Sequence, residues 1–262
     1  MSESEKLLAY IAKNWPSKVK KEWQVGLEKY PEIVGRVLED WTRGASRNRE
    51  LVRIAGQSGS GKTSQLVPAV TKYFEKHEKK PVLVAARRFV DYHPYKDEII
   101  REYGEENLRK NTDDFATIML FFAIRELMEA GYDIILDVGL LNPEIEAVLL
   151  KMIKENQYDA WMTMMAVAPG LTKKFLEKRD WRHGAGTEKE FEKGMKLATE
   201  FYAAKCPDMR VVVWNAWETK PVYDGKMSAV PEILAKYMAI TEVPEHDEDE
   251  LREAKIKYFE NV

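Results

Sequence analysis

The sequence predicts an α/β fold of three layers, in which helices cover both faces of a parallel five-stranded sheet. From Leu51 onward, short runs rich in β-branched residues alternate with longer amphipathic segments, a pattern typical of βαβ units. Each run is apolar enough to be buried on both faces, as strands of parallel sheets are. We expect strands at 51–55, 81–86, 133–138, 161–167 and 210–214, in the order 2-3-1-4-5 of a doubly wound sheet.

Composition limits the class of protein. The 262 residues are 45% hydrophobic and 32% charged, which excludes a disordered or low-complexity chain. The 41 Lys and Arg residues against 44 Asp and Glu give a formal net charge of -3, so the overall field does not attract nucleic acid or anionic lipid. Any phosphate binding must therefore be local.

The same sequence indicates a cytoplasmic protein. A lone cysteine, Cys206, cannot form an internal disulfide, and the four histidines show no zinc-type spacing. Residues 1–16 lack the uninterrupted apolar stretch of a secretory signal. The longest apolar run, 118–124, is far shorter than a membrane span, so we expect no membrane segment.

Three regions differ in pattern along the chain. Residues 1–48 read as an N-terminal helical appendage, residues 49–240 as the α/β domain, and residues 241–262 as an acidic linker with a charged C-terminal helix that is either mobile or docked. Within the α/β domain, a helix is predicted to begin after Asn111-Thr112-Asp113-Asp114 and to end at Gly131, with an apolar, buried middle. Another helix is expected over 229–240.

The strongest motif is a phosphate-loop pattern between the first strand and an amphipathic segment. It reads Gly56-Gln57-Ser58-Gly59-Ser60-Gly61-Lys62-Thr63, and every required position matches. Its glycines permit backbone amides to converge on a phosphate at a helix start. Lys62 is predicted to reach the β- and γ-phosphates of ATP or GTP, and Thr63 to ligate Mg2+.

A carboxylate ends the strand predicted beside this loop. Asp137 follows Ile134-Ile135-Leu136 and is expected to face the crevice where doubly wound folds bind ligands. It is a candidate metal ligand together with Thr63, or a candidate proton acceptor. The alternative is that Asp137 only caps the turn at Gly139.

Over roughly residues 51–182, the chain resembles the zeta-toxin family of P-loop small-molecule kinases. The resemblance rests on the order and spacing of four blocks: the loop through Ser64, Phe89 with His93-Pro94, Ala130-Gly131-Tyr132-Asp133 leading to Asp137, and Met164 to Pro169 followed by Glu177-Lys178-Arg179. It implies a P-loop NTPase fold and a phosphotransferase that uses ATP or GTP with Mg2+. The acceptors it implies are small molecules of the UDP-N-acetylglucosamine type.

One position departs from the family pattern. Where the family places the acid that accepts the proton of the sugar hydroxyl, this chain has Arg87, whose guanidinium cannot act as a base at neutral pH. Asp91 and Asp137 are the two candidate replacements. Either one of these two carboxylates accepts the proton, or the chain is a catalytically weak nucleotide-binding module that regulates a partner.

The resemblance also implies a lid and an acceptor pocket. Arg179 matches the lid position, and Arg182 is expected on the same helix face, where guanidinium groups neutralise the transferred phosphoryl oxygens. The predicted acceptor-binding residues are Arg87, Arg88, Glu98, Thr112 and Asp113. The alternative is a solvated charged helix for the lid and an ordinary surface loop for the pocket.

Two further expectations concern partners. Zeta-toxin-like kinases are commonly inhibited by a small helical antitoxin, so the resemblance implies an antitoxin-like partner; Trp15, Trp23 and Trp41 would then dock it, or would instead pin the appendage to its own domain. A polynucleotide-end kinase would share the phosphate loop, but the balanced charge makes nucleic acid an unfavoured partner.

Overall fold

Six strands form one sheet in the computed structural model, which describes residues 17–57, 59–140, 143–168, 170–172, 188–238, 242 and 245–262. The strands are β1 (Glu50–Ala55), β2 (Val82–Val84), β3 (Ile134–Asp137), β4 (Asp159–Ala166), β5 (Arg210–Asn215) and β6 (Tyr223–Lys226). Their order is β2-β3-β1-β4-β5-β6. The first five are parallel in the predicted order, with Ile54 opposite Asp137 of β3 and Thr163 of β4.

The prediction of five strands was wrong by one. β6 pairs antiparallel with β5, and Val213 lies opposite Tyr223. It is a four-residue edge strand of sequence Tyr-Asp-Gly-Lys, whose residues are exposed or half-buried. A strand at the sheet edge needs no apolar run, so the signal that revealed the buried strands is missing here.

Eight α-helices occur among the described residues. They are α1 (Tyr30–Trp41), α2 (Val67–Lys76), α3 (Lys96–Tyr103), α4 (Leu108–Glu129), α5 (Pro143–Glu155), α6 (Glu188–Lys205), α7 (Val230–Met238) and α8 (Glu248–Phe259). None of the described helices is long and apolar enough to cross a membrane.

Alternate residues of each strand enter two cores, one on each face of the sheet. Leu51 and Leu136 face a core built with helices α1, α4, α5, α6 and α7. Val52 and Ile135 face the opposite core, where α2 and α8 contribute Phe74 and Phe259. The sheet is therefore buried on both faces, which explains its almost uninterrupted apolar strands.

Helix α4 begins at Leu108, earlier than predicted. Asn111 and Thr112 look like capping residues, but their side chains donate to the carbonyls of Asn107 and Leu108 four residues back, at 3.0 and 2.9 Å. Such back-bonding lets polar residues lie within a helix. The predicted apolar middle is confirmed, since Phe115, Met119 and Leu127 are fully buried.

Both ends of the described chain pack on the α/β part. Tyr30 of α1 stacks on Phe122 of α4 with ring centroids 5.8 Å apart. The C-terminal helix is docked, because α8 packs along α2 and buries Phe259 beside Trp161 and Trp214. Division of the chain at residues 48 and 240 stays a prediction.

Candidate functional site

The phosphate loop links β1 to a π-helical turn, Lys62–Leu66, that continues into α2. Gly56 has φ 134°, and a β-carbon there would lie 3.2 Å from the carbonyl oxygen of Met165. Gly61 begins the turn at φ 85°, a conformation that side chains disfavour. Position 56 therefore requires glycine because of its φ and the close approach of Met165 in β4, and position 61 requires it because of its φ.

Lys62 lies at the start of the π-helical turn. Its ammonium group donates to the carbonyl of Gln57 at 3.5 Å. Burial lowers the pKa of Lys62, Asp137 opposes that effect, and repulsion from Arg87 and Arg109 adds to it. Repulsion among three cations is relieved by an anion, so the field at Lys62 favours a phosphate group.

Other loop side chains hold its shape. The Gln57 amide donates to Val167 at 2.5 Å, and the Ser64 hydroxyl donates to the Gly61 carbonyl at 3.1 Å. Ser60 is buried, and its hydroxyl has no hydrogen-bond partner within the described ranges. A phosphate oxygen would satisfy that donor. Ser58 lies outside the described residues.

Thr63 and Asp137 meet at the ends of neighbouring elements. The Thr63 hydroxyl donates to Asp137 Oδ2 at 2.8 Å. Asp137 is buried, and its Oδ1 has no partner in the described part of the chain. A hydroxyl beside a carboxylate with an unused buried oxygen fits Mg2+, which prefers oxygen ligands.

The other ligands of such a cation would come from phosphate and water. No group of three or more His, Cys, Asp or Glu side chains suited to a metal occurs among residues that the structure describes. Magnesium commonly keeps several waters and binds through only one or two protein ligands together with substrate phosphates. The Thr63–Asp137 pair is consistent with that arrangement.

Arg87 contacts both members of this pair. It lies on a 3-10 turn, Ala86–Arg88, because β2 ends at Val84, earlier than predicted. Its Nη1 donates to Thr63 Oγ1 at 2.9 Å, and its Nη2 lies 3.1 Å from Asp137 Oδ2. The predicted binding residue is thus part of the loop's polar network.

Arg88 contacts Leu83 and Trp41, not Thr63 or Asp137 as Arg87 does. Its guanidinium donates to the carbonyl of Leu83 and stacks on the Trp41 ring, 3.8 Å from the ring centroid. Trp41 itself packs on Phe89, with ring centroids 4.8 Å apart. These contacts attach α1 to the turn after β2, so Arg88 and Trp41 are both engaged within the chain.

The other predicted residues are scattered. Asp91 is 69% exposed and accepts from Lys96 at 2.5 Å. Glu98 is half-buried on α3. Thr112 is fully buried, and Asp113 is half-exposed with its carboxylate 3.9 Å from Arg109 Nε. Among the described residues, the observed hydrogen bonds and ion pairs do not connect Asp91, Glu98 or Thr112 with the phosphate loop, whereas Asp113 lies beside Arg109. Arg179 and Arg182 lie outside the described residues.

Sequence reasoning missed Arg109. It lies in the first turn of α4, and its charge lowers the pKa of Lys62. Burial lowers the pKa of Arg109 itself, Asp113 opposes that effect, and repulsion from Arg87 adds to it. The missed helix start hid it, because a helix beginning after residue 114 would leave Arg109 in a connecting loop. A predicted start about two turns earlier would have placed Arg109 in the helix.

A buried ion pair lies next to the phosphate loop, on the strand that precedes it. Arg53 of β1 pairs with Glu146 of α5, and both side chains are almost completely buried. The Tyr202 hydroxyl donates to Glu146 at 2.7 Å, and Arg53 Nη2 donates to the Gly139 carbonyl at 2.9 Å. This network fixes the segment after Asp137 to the strand that leads into the phosphate loop.

One solved structure agrees with this architecture. A solved structure from a study of the PezAT chromosomal toxin-antitoxin system of Streptococcus pneumoniae matches with a TM-score of 0.70 and 17% identity, over 93% of this chain and 100% of that one. A putative kinase from Chloroflexus aurantiacus matches with a TM-score of only 0.39 and 10% identity, over 73% of this chain and 99% of that one. No curated protein matches significantly.

The sequence itself gives the family. The family described as Zeta toxin matches residues 37–219, which include the phosphate loop, Arg87, Arg109 and Asp137. That span covers well over half of the 262 residues. The chain belongs to the Zeta toxin family.

Proposed function

We propose that the protein is a phosphotransferase that moves the γ-phosphoryl group of ATP or GTP to a hydroxyl of a small molecule. The contact between Thr63 and Asp137 carries the proposal, because it joins the phosphate loop to a carboxylate at the carboxyl end of β3. Loop amides and Lys62 would hold the phosphates, and the buried Asp137 carboxylate lies beside Thr63. Phosphoryl transfer depends mainly on such positioning and charge neutralisation.

The reaction requires few groups. The acceptor oxygen bonds to the γ-phosphorus, the bond from that phosphorus to the β–γ bridging oxygen breaks, and the hydroxyl proton passes to a carboxylate. We assign the proton to Asp137 in preference to Asp91, because Asp91 is exposed and paired with Lys96. Arg179 and Arg182 are proposed to neutralise the transferred group, as the family resemblance implies.

Magnesium, when bound, would neutralise charge on the β- and γ-phosphates. Thr63 and Asp137 are the residues that would hold it, since one supplies a hydroxyl and the other a buried carboxylate oxygen. Lys62 positions the same phosphates by charge and hydrogen bonding.

Positive charge lies beside Lys62 of the phosphate loop. Arg87 and Arg109 lie on the side of Lys62 where α4 begins, and their repulsion is relieved by an anionic ligand. A sugar nucleotide, whose diphosphate is anionic, suits that field. We therefore propose sugar nucleotides as the first acceptor class to test.

A second candidate is a weak nucleotide-binding module. The observation that favours it is the contact of Arg87 with Asp137, since a guanidinium bonded to the carboxylate opposes its use as a proton acceptor. Such a module would bind nucleotide and regulate an antitoxin-like protein in the cytoplasm. The similar pneumococcal structure comes from a study of a toxin-antitoxin system, which supports testing for such a partner.

Transfer from labelled ATP and GTP to a panel of sugar nucleotides, nucleosides and oligonucleotide ends tests the proposal. We expect a labelled small-molecule product, and roughly 10- to 100-fold weaker nucleotide binding in Lys62→Ala, because Lys62 makes charge-assisted contacts with phosphate. Lys72→Ala is the matched control, since Lys72 is exposed on α2 and bonded to Glu75. Titration calorimetry measures the affinities, and circular dichroism checks the fold.

Two results would contradict parts of the proposal. Equal nucleotide affinity in Lys62→Ala and the wild type would reject the phosphate-loop assignment. Tight nucleotide binding without a labelled product from any acceptor would favour the regulatory module.

A further inference from the structure

Arg87, Thr63 and Asp137 form a closed set of contacts. The Thr63 hydroxyl donates to Asp137 Oδ2 at 2.8 Å, and Arg87 reaches the same hydroxyl at 2.9 Å and the same carboxylate oxygen at 3.1 Å. The Asp137 side chain is 1% exposed, whereas that of Arg87 is 38% exposed. The guanidinium therefore lies on the solvent side of the buried Asp137 carboxylate.

This contact places a positive charge at the candidate cation site. Thr63 and Asp137 are the two residues that would hold a divalent cation, and here both already bond to a cationic side chain. A carboxylate facing a phosphate loop repels a polyphosphate unless a positive charge stands between them. The guanidinium supplies that charge from within the chain.

The neighbouring cations support the same conclusion. Lys62 and Arg109 both interact with Arg87 electrostatically. Because Arg87 neutralises the negative charge of Asp137, the surroundings of the loop remain positive. Arginine donors also suit phosphate, because the planar guanidinium can bond two oxygens at once.

On the proposed nucleotide-binding function, we propose that Arg87 is a specificity-determining residue that supplies positive charge in place of the divalent cation when the nucleotide carries no metal. By neutralising Asp137 at the Thr63 hydroxyl, it lets this chain bind metal-free nucleoside triphosphate nearly as tightly as the magnesium complex. The ligand class is thus a free polyphosphate nucleotide.

The test compares ATP affinity in excess Mg2+ and in excess EDTA by titration calorimetry. In the wild type, EDTA should weaken binding by less than about tenfold. In Arg87→Met, EDTA should weaken binding by roughly 10- to 100-fold more than in the wild type, because Asp137 is then unpaired. Arg87→Lys, which retains the charge, should restore most of the metal-free affinity.

Two controls separate the local effect from general charge loss. Arg125→Met also removes one arginine that is 35% exposed and paired with a carboxylate, Glu126. Arg125 lies 16 residues beyond Arg109 on α4, or roughly 24 Å along the helix, so its loss should not change the EDTA effect. In the double variant Arg87→Met/Asp137→Asn, neither charge remains, and metal-free binding should recover.

The outcomes are distinct. If EDTA weakens ATP binding equally in the wild type and Arg87→Met, Arg87 does not take the cation's place, and the proposed function still stands. If the wild type binds neither ATP nor GTP in either condition, the proposed function is rejected and this inference with it. Recovery of metal-free affinity in the double variant supports the charge argument independently of transfer activity.

Discussion

At the scale of single residues, Asp137 and Asp91 differ in their surroundings. Asp137 is buried against Thr63, whereas Asp91 is exposed and bonded to Lys96. A positioned base accelerates proton transfer by roughly 100-fold or more, so Asp137→Asn should slow single-turnover transfer by about that factor, and Asp91→Asn should leave it unchanged. Rapid-quench measurement at saturating nucleotide provides the rates. Full activity in Asp137→Asn would reject its assigned role.

Single residues also show the limit of motif reading. The phosphate loop was predictable because its glycines, Lys62 and Thr63 follow one another in sequence. Arg87 was identified as a departure from the family, but its bonds to Thr63 and Asp137 join residues 24 and 50 positions away. Contacts between residues so far apart in sequence cannot be predicted from a local motif.

At the scale of elements, the buried Arg53–Glu146 pair connects β1 with α5, and Tyr202 adds α6. Glu146→Gln leaves the Arg53 charge buried without its partner, so we expect a loss of about 3–5 kcal/mol in the free energy of unfolding. Tyr202→Phe removes a hydroxyl that donates to Glu146 and accepts from Arg53, and should cost about 1–2 kcal/mol.

Urea denaturation followed by tryptophan fluorescence measures both losses. Glu75→Gln is the control, because the Lys72–Glu75 pair is exposed on α2 and should affect stability little. A Glu146→Gln variant as stable as that control would show that the buried network does not stabilise the fold.

At the scale of the whole molecule, the last helix completes one face of the sheet. Lys255 of α8 is fully buried, lies 5.0 Å from the Trp214 ring centroid and donates to the Glu218 carbonyl at 3.0 Å. Burial lowers the pKa of Lys255 from 10.5 to about 8, against the opposing effect of Glu218. Its charged form is therefore less favoured in the folded state than in the unfolded chain.

That pKa predicts how stability depends on pH. Between pH 8 and 10.5 the unfolded chain binds more protons at Lys255 than the folded protein, so the Lys255 contribution to stability rises with pH in this window and levels off below pH 8. Relative to Lys255→Met, the wild type should gain about 1–3 kcal/mol from pH 8 to 10.5. Urea denaturation of both proteins across this range measures the gain, and a constant difference would contradict the prediction.

The family match and the fold agree at this scale. The Zeta toxin match covers residues 37–219, whereas α8 lies beyond it and still contributes Phe259 to the core under α2. The sequence identified the charged C-terminal segment but left its position open, because a helix with a weak apolar stripe can be solvated or docked. The structure shows that the helix is docked, because it packs against α2.

The sequence by itself predicted the five buried strands and the phosphate loop, because apolar runs and a contiguous glycine motif are local properties. The strand order followed from the doubly wound fold, and the family from the order and spacing of four sequence blocks. Tertiary structure alone decided the edge strand β6, the start of α4 at Leu108 and the grouping of Arg87 and Arg109 around Lys62. Edge strands lack an apolar pattern, and back-bonded Asn111 and Thr112 resemble caps. Charges from separate elements meet only when the chain folds.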